Sequence, residues 1–361
     1  MVLQYDSFRD DDSPKHTGFQ TAVPLQWDYE RGALAVTLDT TYAHTELSRE
    51  GDDDFALSGF TDTFINAIYS YTLPTQNPIR FVMDFAVNLP TGKAHLDNDD
   101  LSAERILQRD HFQQNDLFRV DILDEGLNLG ATLGLERESG IHSVGVYSGY
   151  VYYGQYDLCW DEVLNEYDPG DEILLHAAYS WKKSPRRHIH AYLGYSHFGI
   201  DTENDADTLQ IGDKLSAGAD LQIAVLDTVD MTLSLQYITQ FTSEESIGGK
   251  MIEESENSIG SELFGALKLL YHATPRFSIP FVADLRYYGE SERKRRDLDL
   301  PYEGRRVRYA GGAGFHYRLT PSIALLGQGL FVHLDCDPNT ESAEQRIYEG
   351  VNLDLCINYT F

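Results

Sequence analysis

The groups that could do chemistry in this chain are its 12 histidines, 58 acids and three cysteines. His142-Ser143 and Ser196-His197 set a base beside a nucleophile in sequence. Adjacent residues of a strand point to opposite faces, so neither pair makes a direct dyad there. A triad assembled from distant residues stays open, and with it a hydrolase reading. His188 and His190 share a strand face, and His176 can lie on a neighbouring strand, which is a possible donor set for a metal. The plainer reading is polar residues at an interface. Asp157 to Glu172 carries seven acids and no Lys or Arg, and Asp10-Asp11-Asp12 and Asp52-Asp53-Asp54 are acidic runs. Hard cations take several carboxylate oxygens, but the spacing is not that of an EF-hand, and a solvated acidic loop explains it as well. Such runs could also bridge through divalent ions to lipopolysaccharide phosphates. Cys159, Cys336 and Cys356 form no CxxC or CxxCH, which argues against a zinc ribbon and covalent haem. A Cys159–Cys336 disulfide is possible in an oxidising compartment. There is no GxSxG, P-loop, HExxH or Rossmann fingerprint. No cofactor is called for and no catalytic residues are assigned.

The elements that would position such groups are strands. Ile79 to Leu89 alternates apolar and polar residues, as do Leu127 to Leu135, Ile173 to Trp181, Leu215 to Val225 and Met231 to Phe241. Leu263 to Tyr271, Phe277 to Tyr287 and Val307 to Leu319 continue the series. Phe19 to Tyr29, Leu34 to Tyr42, Thr63 to Tyr71, Ile141 to Tyr153, Ile189 to Tyr195 and Ile323 to Leu334 are less regular. In the tail, Val351, Leu353, Leu355, Ile357, Tyr359 and Phe361 share one face. Most of these segments reach ten residues or more; transmembrane strands need about 9–11, whereas globular strands average about 5–6.

The connections alternate between short and long. Glu30 to Gly32, Pro74 to Pro78, Arg137 to Gly140, Lys183 to Arg186, Asp227 to Val229, Ala273 to Arg276 and Leu319 to Ser322 are short and rich in turn formers. Those around 48–55, 91–122, 156–171, 201–212, 243–257, 290–305 and 336–345 are longer and mostly acidic. Short periplasmic turns opposite long external loops are the pattern of a bacterial barrel. The alternation predicts an all-β, closed antiparallel transmembrane barrel, a single domain over residues 1–361. With Val2 to Phe8 as a first strand it has about sixteen strands; fourteen is the alternative.

A terminal amphipathic strand ending in Phe361 resembles the C-terminal signature of bacterial outer-membrane β-barrels. That resemblance implies outer-membrane localisation, recognition by the barrel-assembly machinery, and contact with lipid and lipopolysaccharide. Leu89-Pro90-Thr91-Gly92 at a strand end is similar to a recurrent motif of the outer-membrane family associated with meta-pathway phenol degradation. It would imply uptake of aromatic or other small organic compounds.

The net charge is −30, which argues against nucleic acid as a partner. The chain has no apolar run long enough for a membrane helix, and a barrel needs none. Its start shows no basic or apolar leader, so a signal peptide is expected to be removed or outside this sequence. The 23 Tyr and 17 Phe suit aromatic girdles, although strands favour aromatics in any case.

Alternation assigns an inward face that carries Arg80, Asp84, Lys214, Asp220, Glu262, Lys268, Asp284, Arg286, Arg308, His316 and Arg318. Glu136, His176, Lys182, Gln236, Arg306 and Asp354 belong to the same face. These charges either tune permeation or pair across strands and hold the wall. The 91–122 segment either narrows the lumen or forms an external lid. The expected function is a porin-like channel or small-solute transporter. The alternatives are a scaffold barrel housing an export or electron-transfer partner, and an outer-membrane hydrolase.

Overall fold

The computed structural model describes residues 2–10, 16–49, 55–74, 78–93, 126–157, 166–255, 257, 260–291, 304–338 and 345–359. Thr360 and Phe361, Cys159, the Asp10-Asp11-Asp12 run beyond Asp10, the Asp52–Asp54 run and most of 91–122 lie outside them. The terminal-Phe signature and the Cys159–Cys336 pairing are therefore outside the described residues.

All regular structure among these residues is antiparallel strand. In order the strands are β1 (Val2–Asp10), β2 (His16–Arg31), β3 (Leu34–Arg49), β4 (Phe55–Phe60), β5 (Thr63–Leu73), β6 (Ile79–Leu89), β7 (Asn128–Ser139) and β8 (His142–Tyr152). Then come β9 (Tyr156–Asp157), β10 (Glu166–Asp168), β11 (Glu172–Ser184), β12 (Arg187–Phe198), β13 (Ile200–Glu203), β14 (Ala206–Gln210), β15 (Lys214–Leu226) and β16 (Val229–Gln240). The last are β17 (Glu244–Ser246), β18 (Met251–Glu253), β19 (Glu262–Thr274), β20 (Phe277–Tyr288), β21 (Arg306–Arg318), β22 (Ile323–Cys336) and β23 (Arg346–Tyr359).

Seventeen strands make one sheet and six short ones a second. In the large sheet each strand pairs with the next one of that sheet in the chain, except that β4 and β5 both pair with β3, and β1 pairs with both β2 and β23. The ladder thus returns to the strand where it began, and the architecture is a β-barrel. Two-residue turns make several of the short connections. Gly32 (φ 63°) and Gly140 (φ 62°) supply the left-handed backbone that such hairpins require. Pro24 sits in β2 just beyond Ala22, where pairing with β1 ends, so its missing N–H breaks no bond on that side.

Two features depart from the sequence expectation. First, β4 and β5 both pair with β3, one after the other, and the chain jogs between them at Thr61-Asp62. Phe60 lies opposite Tyr42, while Ile65 lies opposite Leu38. Outward residues are therefore even-numbered before the jog and odd-numbered after it. That change of phase hides β4 from a search for steady alternation. Second, the segments 156–171, 201–212 and 243–257, expected as loops, contribute β9, β10, β13, β14, β17 and β18 to the second sheet. Asn204 and Asp205, at φ 51° and 63°, form its β13–β14 hairpin turn.

Outward faces are apolar and exposed. Leu25, Phe85, Leu133, Val146, Leu193, Leu235 and Leu353 lie in mid-strand, and all are exposed. Aromatic residues concentrate towards both ends. Trp27, Tyr29, Tyr69, Tyr71, Tyr271 and Tyr317 lie towards the short turns. Tyr42, Phe60, Tyr150, Tyr152, Tyr237 and Tyr287 lie towards the long connections.

Candidate functional site: the inner face of the barrel

Register decides which side chains share a face, and it can be followed strand by strand. Arg80 lies opposite Glu136, and His176 opposite Tyr147. His190 lies opposite Asp220, and Asp220 opposite Ser234. Gln236 then meets Phe264, Phe264 meets Arg286, Arg286 meets Arg308, and Arg308 meets Leu334. Opposed residues project to the same side of a sheet. Asp84, Lys214, Glu262, Lys268, Asp284, His316 and Arg318 follow these residues by even spacing along their own strands. All eleven candidates therefore share the face turned away from the exposed apolar residues. Lys268 and Arg318 are exposed on it, while Arg308 retains only 3% of its surface.

The register makes the inner charges fall into distinct groups. On β6–β8, Arg80 Nε donates to Glu136 Oε2 at 2.7 Å. The Tyr147 hydroxyl donates to the other oxygen of the same carboxylate, Oε1. Gly134 and Gly145 make room for this ring: a Cβ on Gly134 would come within 2.2 Å of Tyr147 Cδ1. From Tyr147 an aromatic band continues across β11 and β12. Ring centroids are 5.5 Å apart for Tyr147 and His176, 5.7 Å for His176 and Tyr192, and 6.2 Å for His190 and Tyr192. Ser180 Oγ lies 2.9 Å from His190 Nδ1. Asp84 accepts from Asn66 Nδ2, and Asp220 from Ser234 Oγ at 2.6 Å.

A second group lies on β19–β21. Arg308 Nη1 pairs with Asp284 Oδ1 in a contact 4% and 10% exposed on its two sides. Arg286, directly opposite Arg308, places its guanidinium carbon 4.9 Å over the Phe264 ring. Arg306 stands 4.9 Å over Tyr288 in the same way. Gln236, Ile238, Glu262, Phe264, Arg286 and Tyr288 line a recess of roughly 270 Å³.

A third group ties the barrel wall to its longest connection, and apart from the Leu-Pro-Thr-Gly motif no sequence pattern marks it. Asp62, 3% exposed, sits at the β4–β5 jog. Its Oδ1 accepts from the backbone N–H groups of Thr91 (3.0 Å) and Gly92 (2.8 Å). Its Oδ2 accepts from Asn88 Nδ2 at 2.7 Å. Asn88 Nδ2 also reaches the carbonyl of Gly126 at 3.4 Å. Thr91 Oγ1 donates to the Thr61 carbonyl at 3.1 Å.

The second sheet has its own polar anchors. Asp201, 2% exposed, accepts from the Tyr167 hydroxyl and from the Gly170 N–H at 2.7 Å. Partial burial, then this bond, push the Tyr167 hydroxyl well above its ordinary range. Asp213 accepts from Tyr195 Oη, and its Oδ1 lies 2.7 Å from His197 Nδ1. Burial raises the Asp213 carboxyl, but these bonds together outweigh it and hold the group below its ordinary value.

The histidines read as a possible metal set do not assemble one. Among the described residues no group of three His, Cys, Asp or Glu side chains has the arrangement of a metal site. His190 is taken up by Ser180 and by the Tyr192 ring. His142 Nδ1 lies 2.8 Å from the Tyr179 hydroxyl and His197 Nδ1 2.7 Å from Asp213 Oδ1, so among the described residues neither sequence-adjacent His-Ser pair is a hydrogen-bonded dyad.

No family model matches the chain, and no curated protein matches it. Solved structures do. The outer membrane channel DcaP of Acinetobacter baumannii has a TM-score of 0.44 at 8% identity, over 100% of this chain and 95% of that one. The COG4313 outer membrane channel from Pseudomonas putida F1 has a TM-score of 0.41 at 12% identity, over 74% and 93%. Pseudomonas aeruginosa OpdQ has a TM-score of 0.40 at 11% identity, over 99% and 97%.

Proposed function

We propose that this chain is a bacterial outer-membrane channel, a single closed barrel over residues 1–361 through which small solutes diffuse. Its sixteen staves are the strands of the large sheet, with β4 and β5 sharing one. The observation that carries this reading is the contrast between the two faces. Leu133 is 62% exposed and Phe85 52% on the outer face, between aromatic bands at both ends. A soluble protein seldom exposes so wide an apolar belt, and a lipid-facing wall requires one. The inner face holds Arg, Lys, Asp, Glu and His, which suit a hydrated lumen. An Arg or Lys turned to lipid at mid-depth would cost about 2–4 kcal/mol.

The short turns lie on the periplasmic side and the long acidic connections face outward. Lipid, lipopolysaccharide and the barrel-assembly machinery are its partners. Selectivity follows the inner charges, with Arg286 and Arg308 opposing the cations that the acidic mouth concentrates. No reaction is assigned to the chain.

The deciding measurement is conductance in planar bilayers. The wild-type protein should give discrete current steps. Neutralising Arg286 and Arg308 together should shift the reversal potential towards cations. If neither the wild type nor a variant lacking residues 95–124 conducts, the channel reading gives way to a scaffold barrel that houses a partner. Orientation is tested separately. Cysteines introduced at Asp100 or Glu166 in a cysteine-free background should label on intact cells, and labelling only after permeabilisation would reverse it.

A further inference from the structure

We propose that the β19–β21 wall holds a binding subsite for a small organic carboxylate, formed by Arg286 and Arg308 and the recess beside them. The proposal deepens the channel reading and rests on it. Arg286 and Arg308 are direct cross-strand partners on one face, an arrangement that is unfavourable for like charges. Asp284 engages only Nη1 of Arg308. Among the described residues, Nε and Nη2 of that guanidinium are buried and make no hydrogen bond, although the side chain is just 4% exposed. Two unmet donors on a buried cation are costly, and an anion accepting from them would remove the cost.

The surroundings select the kind of anion. A carboxylate matches the planar fork of a guanidinium and can accept two parallel bonds. Arg286 is held over Phe264, so its orientation is fixed before a ligand arrives. The adjoining recess is lined by Ile238 and Phe264, which suit a short hydrocarbon tail, together with Gln236 and Tyr288. Glu262 borders the same recess, and Asp284 is already paired with Arg308. Those two carboxylates disfavour a doubly charged anion such as phosphate. Among the described residues, Arg286, Arg306 and Arg308 stand on this wall beside Glu262 and Asp284.

The test is titration of butyrate into the detergent-solubilised full chain, followed by saturation-transfer NMR. Butanol and inorganic phosphate are the comparison probes. Wild-type protein should bind butyrate in preference to both. Arg308→Gln and Arg286→Gln should each weaken binding by about tenfold or more, the loss expected for a hydrogen bond to a charged group. Asp284→Asn should tighten it, because a competing carboxylate charge is removed. Arg80→Gln, in the group across β6–β8, should leave it unchanged. Each variant is first checked for heat-modifiable gel mobility. If Arg308→Gln does not fold, Arg286→Gln and Asp284→Asn still decide. Equal binding of butyrate and butanol, phosphate binding as tight as butyrate, or butyrate binding indifferent to Arg286 and Asp284 would each overturn the subsite. Because the titration needs no current, butyrate binding in a protein that does not conduct would sink the channel reading and leave the subsite standing.

Discussion

Two arginines on the inner face have been given opposite circumstances. Arg80 is 44% exposed and is met by Glu136, whose second oxygen is occupied by Tyr147. Arg308 is 4% exposed, shares one nitrogen with Asp284, and faces another arginine instead of a second acid. The first group is closed on itself: its charges and hydrogen bonds are internally matched. The second is matched only in part. In a wall built by one repeated rule, a complete polar network reads as structure, and an incomplete one reads as a place reserved for something else.

The contrast can be broken most directly through the carboxylates. Asp284→Ala leaves a buried guanidinium without its acid, so unfolding in detergent should lose about 3 kcal/mol, at the lower end of what breaking a buried pair costs. Glu136→Ala strands a guanidinium that water already reaches, and about 1 kcal/mol is expected. Equal losses in urea titrations would erase the distinction. Between these lies Gly134→Ala. Its Cβ would strike the Tyr147 ring and push the hydroxyl off Glu136, at about 1–3 kcal/mol for overpacking. A neutral result there would mean that Tyr147 has room to turn.

Reversal potentials sharpen the comparison on the functional side. Arg80→Gln should move the value less than Arg286→Gln, since the Arg80 charge is already cancelled by Glu136. The smallest effect concerns Asp213, far from both arginines. Its carboxyl is depressed in the folded protein, so its contribution is complete above the unfolded value, about 3.9, and is lost as pH falls through the folded one. Asp213→Asn should lose this contribution at pH 7, where it is complete, and converge with the wild type as pH falls below about 4, so that its acid-stability curve is flatter there. Its side chain is 33% exposed, so solvent screening keeps the change modest.

Much of the wall was legible because alternation is a local property. Ile79–Leu89 was delimited from sequence alone, and Phe277–Tyr288 missed by one residue. The shared face of Arg286 and Arg308 followed from counting by twos. Their direct opposition did not, because it depends on the register between β20 and β21, whose joining segment from 289 to 305 carries no pattern that fixes it. The pairing of Arg80 with Glu136 was hidden for the same reason, with residues 90–127 between their strands. β4 was hidden by the change of phase at Thr61-Asp62. The second sheet was hidden by composition: Glu244, Glu245 and Glu253 read as solvated loop, yet they pair across β17 and β18 in a sheet anchored elsewhere by Asp201.

The Asp62–Asn88 pair has a consequence for the part of the chain it borders. Thr91 and Gly92 are held by Asp62, and Gly126 is reached by Asn88, so both ends of the longest connection are pinned to one point on the wall. Once two ends are fixed together, the length between them matters only logarithmically: doubling it adds about 0.6 kcal/mol of closure entropy. The barrel can therefore take insertions, or a transplanted segment from another protein, between Lys93 and Gly126 with little strain on its staves. A series of flexible inserts there should leave the unfolding midpoint nearly level, while Asp62→Ala should lower the midpoint of every member by a similar amount, since the β6–β7 pairing still holds the two ends together.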